Sequence, residues 1–415
     1  MTTCDNPSPD LDSITKIDQT EGGITAPTGF KAAGVACGIK PSGLDLALII
    51  SKDLASAVGV FTTSLAAAAP VILSRNHLEQ SAGHARGIVI NSGCANACTG
   101  TAGIKTAKIM AEAVARAISC PVEEVLVAST GVIGVMLDST TVTTGIATAA
   151  KTESSAGHAD AARAIMTTDP WPKESAARVQ TPEGTFTIGG MAKGSGMIEP
   201  MLATMLAFLT TDAKVSPSLL GRALKEAVDQ TFNTITVDGE CSTNDSVMAL
   251  ANGHSNIKID KQNYSALVNG LRTVCHELAL GIVRGGEGAT KLIKILVTGA
   301  TTKTGAQQTA RAIANSPLVK TAIHGGDPNW GRLIAVAGRS GSPMDLEHAS
   351  VKIGSVVLFS NGNPHDERTK DAARQLQGQT VELEVNVGAG GCEEAIMWTC
   401  DLTADYVKIN SEYRT

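Results

Sequence analysis

Short β-type runs alternate with stretches of helical periodicity along this chain, and the alternation restricts the fold to a mixed α and β class. The runs that favour strands occupy residues 45–51, 57–63, 87–92 and 124–129. Small apolar residues recur every three or four positions, which predicts helices, at 103–119, 216–232, 264–284 and 303–314. No convincing repeat with a period of about 20–50 residues is present, so a solenoid or a propeller is set aside.

The second half of the chain carries further β patterns. The segment RVQTPEGTFTIGGM at 178–191 alternates around a Pro-Glu-Gly turn and predicts a hairpin. A glycine-rich bend at 193–196 and an apolar, strand-like run at 203–209 follow it. Two further strands are predicted at 351–359 and 380–387.

Glycine is in excess and aromatic residues are scarce. The 415 residues include 42 Gly but only 6 Phe, 3 Trp and 3 Tyr. A chain of this length would carry about 29 glycines at the usual frequency. The composition therefore indicates a protein that depends on tight turns and on backbone N–H groups.

Charge and apolar patterning exclude several classes of partner. Lys and Arg number 34 against 40 Asp and Glu, for a net charge of −6, so a nucleic-acid partner is not expected. The longer apolar stretches, such as 65–73, fall short of the ~18 residues that a membrane span needs. Because the N-terminus is acidic and lacks an apolar core, we expect a flexible tail at 1–22 and a cytoplasmic protein without a membrane segment.

Metal and triad chemistry find no support in the sequence. The nine cysteines are scattered without a CxxC pair, which predicts reduced thiols and no zinc site. The eight histidines are dispersed as well. Because P-loop, GxSxG and HExxH patterns are also absent, neither a metal nor a histidine triad is expected.

Hydroxyl-rich and glycine-rich turns at strand ends are the remaining candidates. NSGCANACTG at 91–100 follows a predicted strand and precedes a helix, and STG at 129–131 closes the next strand. Such turns can present N–H groups to an anion or a developing oxyanion. From spacing alone, helix capping and turn formation explain both segments at least as well.

Nine segments in order resemble the ornithine acetyltransferase family of arginine biosynthesis, also called glutamate N-acetyltransferases. The resemblance extends from about residue 23 to the last residue. The segments are GITAPTGFKAAG at 23–34, NSGCANACTG at 91–100, STG at 129–131, MTTD at 166–169, KGSGMIEPMLATML at 193–206, ITVDGECSTND at 235–245, GEGATK at 286–291, HGGDPNWGR at 324–332 and INSEYRT at 409–415.

The resemblance implies a self-cleaving precursor with an N-terminal threonine nucleophile. The cut would fall between Ala203 and Thr204 and leave an α chain and a β chain that remain together. The freed α-amine would then serve as the base that a threonine hydroxyl needs. The implied reaction moves an acetyl group from N2-acetylornithine to glutamate through an acetyl-Thr204 enzyme, without a cofactor or a metal.

The same resemblance assigns the other site residues. Thr130 and Gly131 would stabilise the oxyanion of the tetrahedral intermediates. Lys193 suits a substrate carboxylate and Glu287 a substrate amine. The substrate contacts that it implies are Thr167, Lys193, Thr204, Glu287, Asn410 and Thr415.

The implied fold is α/β (α+β), a layered αββα-type sandwich of the self-processing N-terminal-nucleophile kind with a smaller α/β domain late in the chain. The implied division is a tail at 1–22, the α chain at 23–203, a core-completing segment at 204–290 and a C-terminal domain at 291–415. The small-molecule substrates would bind to an α2β2 heterotetramer. Glu199 and the Met201-Leu202 pair depart from residues common in the family, so substrate preference or cleavage rate can differ here.

Three questions stay open at this stage. An amidohydrolase or aminopeptidase that uses the same self-cleaved threonine is the nearest alternative. A non-catalytic small-molecule-binding protein is the second, and it predicts an intact chain. The sequence also leaves open whether acetyl-CoA serves as a second acetyl donor.

Overall fold

The structure is a computed structural model that describes residues 16–199 and 205–412. Their contacts define two units, and each is described by itself. The larger unit contains the described residues up to 233 together with 240–282. The smaller unit contains 234–239 and 283–412. The contact boundary follows residue 282, whereas the sequence predicts a boundary after 290, because Gly286 and Gly288 pack against Cys400 and Tyr406 of the smaller unit.

One nine-stranded sheet forms the centre of the larger unit. Its strand order is β1-β6-β7-β8-β9-β3-β4-β5, and β2 pairs with β3. The strands are β1 (Lys16–Thr20), β2 (Phe30–Val35), β3 (Leu46–Phe61), β4 (His84–Cys94), β5 (Val125–Val132), β6 (Lys173–Thr181), β7 (Gly184–Lys193), β8 (Leu206–Thr211) and β9 (Ser246–Ala251). The helices of this part of the chain are α1 (Ala69–Gln80), α2 (Gly100–Ile118), α3 (Ser139–Thr152), α4 (His158–Ala164), α5 (Pro217–Asp229) and α6 (Tyr264–Arg284).

The long strand β3 joins two halves of the sheet, and these halves pack face to face. Ile49 of β3, Phe208 of β8 and Met248 of β9 belong to one buried cluster between the halves. On the opposite face, Leu48 contributes to a second cluster with helices α2 and α3. Because both faces are buried, the strand is continuously apolar over LALII rather than alternating.

Helix α6 covers the outer face of the other half of the sheet. A Cβ at Gly270 of this helix would come within 2.7 Å of Val179 and 2.8 Å of Ile188, so a glycine permits the close approach. The larger unit is therefore a four-layer α-β-β-α sandwich, and the predicted fold class is confirmed. Helix α6 is long and apolar enough to cross a membrane, but 67% of its most apolar window is buried, as in a core helix.

The smaller unit has a six-stranded sheet with the order β13-β12-β11-β14-β10-β15. Ile295, Val351 and Leu383 share its buried core. Its strands are β10 (Leu292–Ala300), β11 (Ser350–Ile353), β12 (Val356–Ser360), β13 (Asn363–Pro364), β14 (Thr380–Asn386) and β15 (Glu393–Cys400). Its helices are α7 (Lys303–Ala314), α8 (Pro317–His324), α9 (Trp330–Gly338), α10 (Thr369–Gln375) and α11 (Ala404–Glu412).

Three local expectations from the sequence are wrong. Residues 16–20 of the predicted tail form β1, which pairs with β6; its polar side chains gave no apolar pattern. The strand predicted at 351–359 is a hairpin, because Ile353 pairs with Val356. Cys392 is disulfide-bonded, although the described cysteines at 37, 94, 98, 120, 241, 275 and 400 are free thiols.

Candidate active site

Lys193, the last residue of β7, lies at the centre of a polar cluster in the larger unit. Its side chain is nearly buried, with 9% exposed surface for the residue. Its Nζ donates to Thr167 Oγ1 at 2.7 Å and to Thr130 Oγ1 at 3.2 Å. Within the described part of the chain no carboxylate lies in salt-bridge range of this ammonium, so its remaining N–H is suited to an anionic substrate group.

Asp169 connects the loop before β6 to the glycine bend after β7. Its Oδ1 accepts hydrogen bonds from Lys173 Nζ at 2.6 Å and from Gly194 N at 2.7 Å. Its Oδ2 accepts one from Thr167 N at 3.1 Å. The carboxylate thus fixes Gly194, which follows Lys193 in the chain, and Thr167, whose hydroxyl accepts a hydrogen bond from Lys193. The side chain of Asp169 is 0% exposed.

The charges of this network lower the pKa of Asp169. Burial alone would raise it, but the positive charges of Lys193 and Lys173 and the hydrogen bonds from Lys173 and Gly194 lower the pKa to about 2. Burial lowers the pKa of Lys173, and the charge of Asp169 opposes that shift. Asp169 is therefore an ionised, acceptor-only group at neutral pH.

Thr130 and Gly131 lie near the end of β5, where β5 runs parallel to β4. Buried side chains brace this strand end. Asn244 donates to Ala95 O at 2.6 Å and to Ser129 O at 2.9 Å. Ser129 Oγ donates to Asn91 Oδ1 at 2.6 Å. These bonds hold the backbone at 129–131, and Asn244 of the 235–245 segment therefore braces the strand end.

Gly131 cannot carry a side chain without moving the backbone of β4. Its φ is +129°, and a Cβ would lie 2.3 Å from Gly93 C and 2.6 Å from Cys94 N. We expect Gly131→Ala to lower the free energy of unfolding by about 3 kcal/mol and to block self-cleavage. Chemical denaturation and denaturing mass spectrometry measure the two effects.

A matched control lies three residues further on. Gly134 also has a positive φ, +79°, but a Cβ there would meet nothing within 4 Å. Gly134→Ala should therefore lower the free energy of unfolding by the backbone strain alone, about 1 kcal/mol, and leave self-cleavage unchanged. Equal losses of unfolding free energy and equal cleavage in the two variants would show that the close approach of Gly131 to β4 affects neither stability nor cleavage.

The smaller unit brings together the other two described candidates. Asn410 Nδ2 in α11 donates to Glu287 Oε2 at 2.7 Å, and Glu287 is 7% exposed. Asp401 accepts from Thr290 N at 2.8 Å and from Thr290 Oγ1 at 2.6 Å, which fixes the end of the GEGATK segment. His324 Nδ1 lies 2.8 Å from the same carboxylate, so the first residue of the 324–332 segment has a structural partner.

The structure therefore groups the predicted residues in two sets. Thr130, Gly131, Thr167 and Lys193 lie in the larger unit, and Glu287 and Asn410 lie in the smaller one. Ala203, Thr204 and Thr415 fall outside the described residues, as does the Met201-Leu202 pair. Met205, the residue after Thr204, is buried, and its carbonyl accepts from Ser246 N at 3.0 Å.

Sequence reasoning gave no chemical role to Asp169 or to Asn244. Both occur in segments that carried the resemblance, MTTD and STND. A buried acid three residues after a methionine has no distinctive spacing, so only the partners of its carboxylate reveal its role. Among the described residues, no group of three or more His, Cys, Asp or Glu side chains could hold a metal ion.

Comparison with known proteins identifies the family. The sequence model of the ArgJ family matches residues 31–415. The chain belongs to the ArgJ family. It is 48% identical over 400 residues to the "Arginine biosynthesis bifunctional protein ArgJ" of Symbiobacterium thermophilum, covering 95% of this chain and 99% of that protein. The protein of the same name from Thermosynechococcus vestitus is 47% identical, with 96% and 99% covered.

A solved structure is also similar to this ArgJ-family chain. Ornithine acetyltransferase from Mycobacterium tuberculosis, complexed with ornithine, is 40% identical. The match covers 46% of this chain and 99% of that chain, with a TM-score of 0.40.

Proposed function

We propose that this protein is a glutamate N-acetyltransferase that moves the acetyl group of N2-acetylornithine to glutamate through a covalent acetyl-Thr204 intermediate. The observation that carries the proposal is the convergence of Thr130, Thr167 and Lys193 beside the start of β8, whose Leu206 pairs with Lys193. Membership of the ArgJ family supports it. So do the names of the relatives, which refer to arginine biosynthesis.

Self-cleavage prepares the nucleophile. The Thr204 hydroxyl attacks the carbonyl carbon of Ala203, the Ala203–Thr204 C–N bond breaks, and the α chain is transferred to the threonine oxygen as an ester. Water then hydrolyses the ester and leaves Thr204 with a free α-amine. An α-amine has a pKa of about 7.7–8, so at neutral pH a useful fraction is available as a base for the adjacent hydroxyl.

Acetyl transfer uses the same threonine twice. The Thr204 hydroxyl attacks the acetyl carbon of N2-acetylornithine, the amide C–N bond breaks, and ornithine leaves with the proton. The amine of glutamate then attacks the acetyl ester, which gives N-acetylglutamate and restores the hydroxyl. The Thr130–Gly131 strand end would stabilise the oxyanion in both steps, an effect worth ~2.7–4 kcal/mol per donor.

Charge complementarity supports the assignment of the substrate groups. Both acetyl donor and acceptor carry an α-carboxylate, for which Lys193 provides a nearly buried ammonium. Glu287 would receive a substrate amine, and its hydrogen bond with Asn410 orients the carboxylate. These steps require no cofactor. The relatives are named "bifunctional", which favours acetyl-CoA as an additional acetyl donor.

The proposal is tested by following the acetyl group. Purified protein is given N2-acetylornithine with and without glutamate, and ornithine and N-acetylglutamate are quantified. We expect both products in equal amounts when glutamate is present. Release of free acetate instead, with no N-acetylglutamate, would establish the amidohydrolase alternative. Acetyl-CoA as sole donor then distinguishes a bifunctional from a monofunctional enzyme, and size measurements test the proposed α2β2 assembly.

Lys193→Met should raise the KM for both N2-acetylornithine and glutamate. Each substrate would lose one charge-assisted hydrogen bond, worth about 1.5–3 kcal/mol, so kcat/KM should fall roughly 10- to 100-fold. Lys151→Met, at an exposed position of α3, is the matched control and should leave both constants unchanged. An unchanged KM for both substrates in the Lys193 variant would contradict the assignment.

A further inference from the structure

A cavity lies in the larger unit, at the opposite end of β8 from Leu206. Its volume is about 760 Å³. Strand β8 ends at Thr211, five residues beyond Leu206, which corresponds to roughly 17 Å along the strand. None of the candidate active-site residues lines this cavity. Its ionisable lining residues are His84, Lys214, Arg222, Lys258, Asp260 and Lys261.

Two of these lysines are held side by side by the backbone. Lys214 and Lys258 form a parallel β-bridge, in which Lys214 N donates to Ile257 O and Ile259 N donates to Lys214 O, both at 2.8 Å. Paired residues in a bridge project from the same face, so the two ammonium groups start from adjacent positions. Like charges directly opposite each other are destabilising.

Groups near the two lysines make the electrostatic potential in the cavity more positive. Helix α5 begins at Pro217 on the wall of the cavity, with Ser216 as its N-cap, and contributes the positive end of its dipole. The Arg222 guanidinium stacks 5.0 Å from the Tyr264 ring centroid, which fixes a further cation at the wall. Asp260 is the acidic side chain of the lining, and its Oδ1 accepts from Gln262 N at 2.8 Å.

No carboxylate in the described part of the chain forms a salt bridge with Lys214, Lys258 or Lys261. Four permanent cations therefore face one carboxylate in this concave site. Leu54, Val215 and Ile259 supply an apolar part of the wall. The volume lies within the range of small-molecule sites, about 300–1,000 Å³, and exceeds what a single inorganic ion fills.

We propose that this cavity binds a phosphorylated small molecule of nucleotide size. Lys214 and Lys258 share its phosphate oxygens, and the apolar wall contacts the remainder. Bound phosphate oxygens between the paired ammonium groups relieve their mutual repulsion, and the N-terminus of α5 adds to the attraction. The site is separate from the polar cluster around Lys193.

The test is isothermal titration calorimetry of the full-length protein with sodium pyrophosphate and with ADP, at low and high ionic strength. We expect binding that weakens with salt, because the attraction is electrostatic at an exposed site. Tighter binding of ADP than of pyrophosphate would support a ligand of nucleotide size, and equal affinities for the two probes would contradict the contact with the apolar wall. Each lysine removed should weaken binding by about tenfold.

The decisive comparison uses two double variants with the same change in net charge. Lys214→Met/Lys258→Met should weaken both probes by about a hundredfold. It should also raise the melting temperature without ligand, because a like-charge pair is lost. Lys105→Met/Lys108→Met on α2, both exposed, is the control. Absence of binding to the wild type, or equal affinities in the two double variants, would overturn the proposal.

Discussion

Replacing Thr204 with alanine is expected to leave the protein as one uncut chain and to abolish acetyl transfer. The wild type should give two fragments, 1–203 and 204–415, in denaturing mass spectrometry. The alanine variant has no hydroxyl to attack the Ala203 carbonyl and none to accept an acetyl group, so both reactions lose their nucleophile. Loss of a covalent nucleophile typically costs many orders of magnitude in kcat.

The control variants separate chemistry from folding. Thr204→Ser retains a hydroxyl and should still cleave, while Thr101→Ala at an exposed position of α2 should behave as the wild type. Circular dichroism should show that Thr204→Ala is folded, because the change removes only a small side chain. An uncut wild-type chain would contradict the self-cleavage mechanism, and would favour a non-catalytic binding protein.

Asp169→Asn is expected to have the largest effect on stability, a loss of about 3–5 kcal/mol in the free energy of unfolding. The substitution leaves Lys173, whose side chain is 2% exposed, as a buried charge without its carboxylate partner. It also weakens the bonds to Gly194 N and Thr167 N, so Lys193 is held less firmly. Urea denaturation measures the first effect, and the cleavage rate measures the second.

An exposed ion pair of the same length provides the matched control. Arg374 Nη2 and Asp371 Oδ1 also lie 2.6 Å apart, but the two side chains are 76% and 58% exposed. Asp371→Asn should therefore lower the free energy of unfolding by at most about 1 kcal/mol. In Asp169→Asn/Lys173→Met the unpaired charge is gone, and most of the stability should return while cleavage stays slow. Recovery of wild-type cleavage in that double variant would show that Asp169 acts on stability alone.

The same carboxylate predicts a pH dependence of stability. The folded pKa of Asp169 is about 2, below its ordinary value of 3.8, so its contribution is present above about pH 4 and is lost as the pH falls through 2. The difference between these two pKa values corresponds to roughly 2 kcal/mol in the free energy of unfolding. Wild type should therefore lose more stability between pH 4 and pH 2 than Asp169→Asn, which has no carboxylate to protonate.

Much of the local structure was predictable because it depends on neighbouring residues. The helices at 264–284 and 303–314 appear at the predicted residues, and the hairpin at 178–191 is β6 and β7. Their apolar periodicity and turn residues are sufficient signals. The hairpin within 351–359 was missed because its turn is only two residues long, Gly354-Ser355, so that the two short apolar strands on either side resemble one longer strand.

The sequence by itself determined the mixed α/β class, most secondary structure and, through nine ordered segments, the family and the residues to inspect. Only the tertiary structure decided that the ends of β5 and β7 meet, since Thr130 and Lys193 are 63 residues apart in the chain. Only it revealed Asp169 as the buried link between Thr167, Lys173 and Gly194, and Lys214 beside Lys258 at the cavity near the end of β8. Periodicity and spacing report on contacts within a segment, whereas these groups are brought together by the folding of one sheet upon itself.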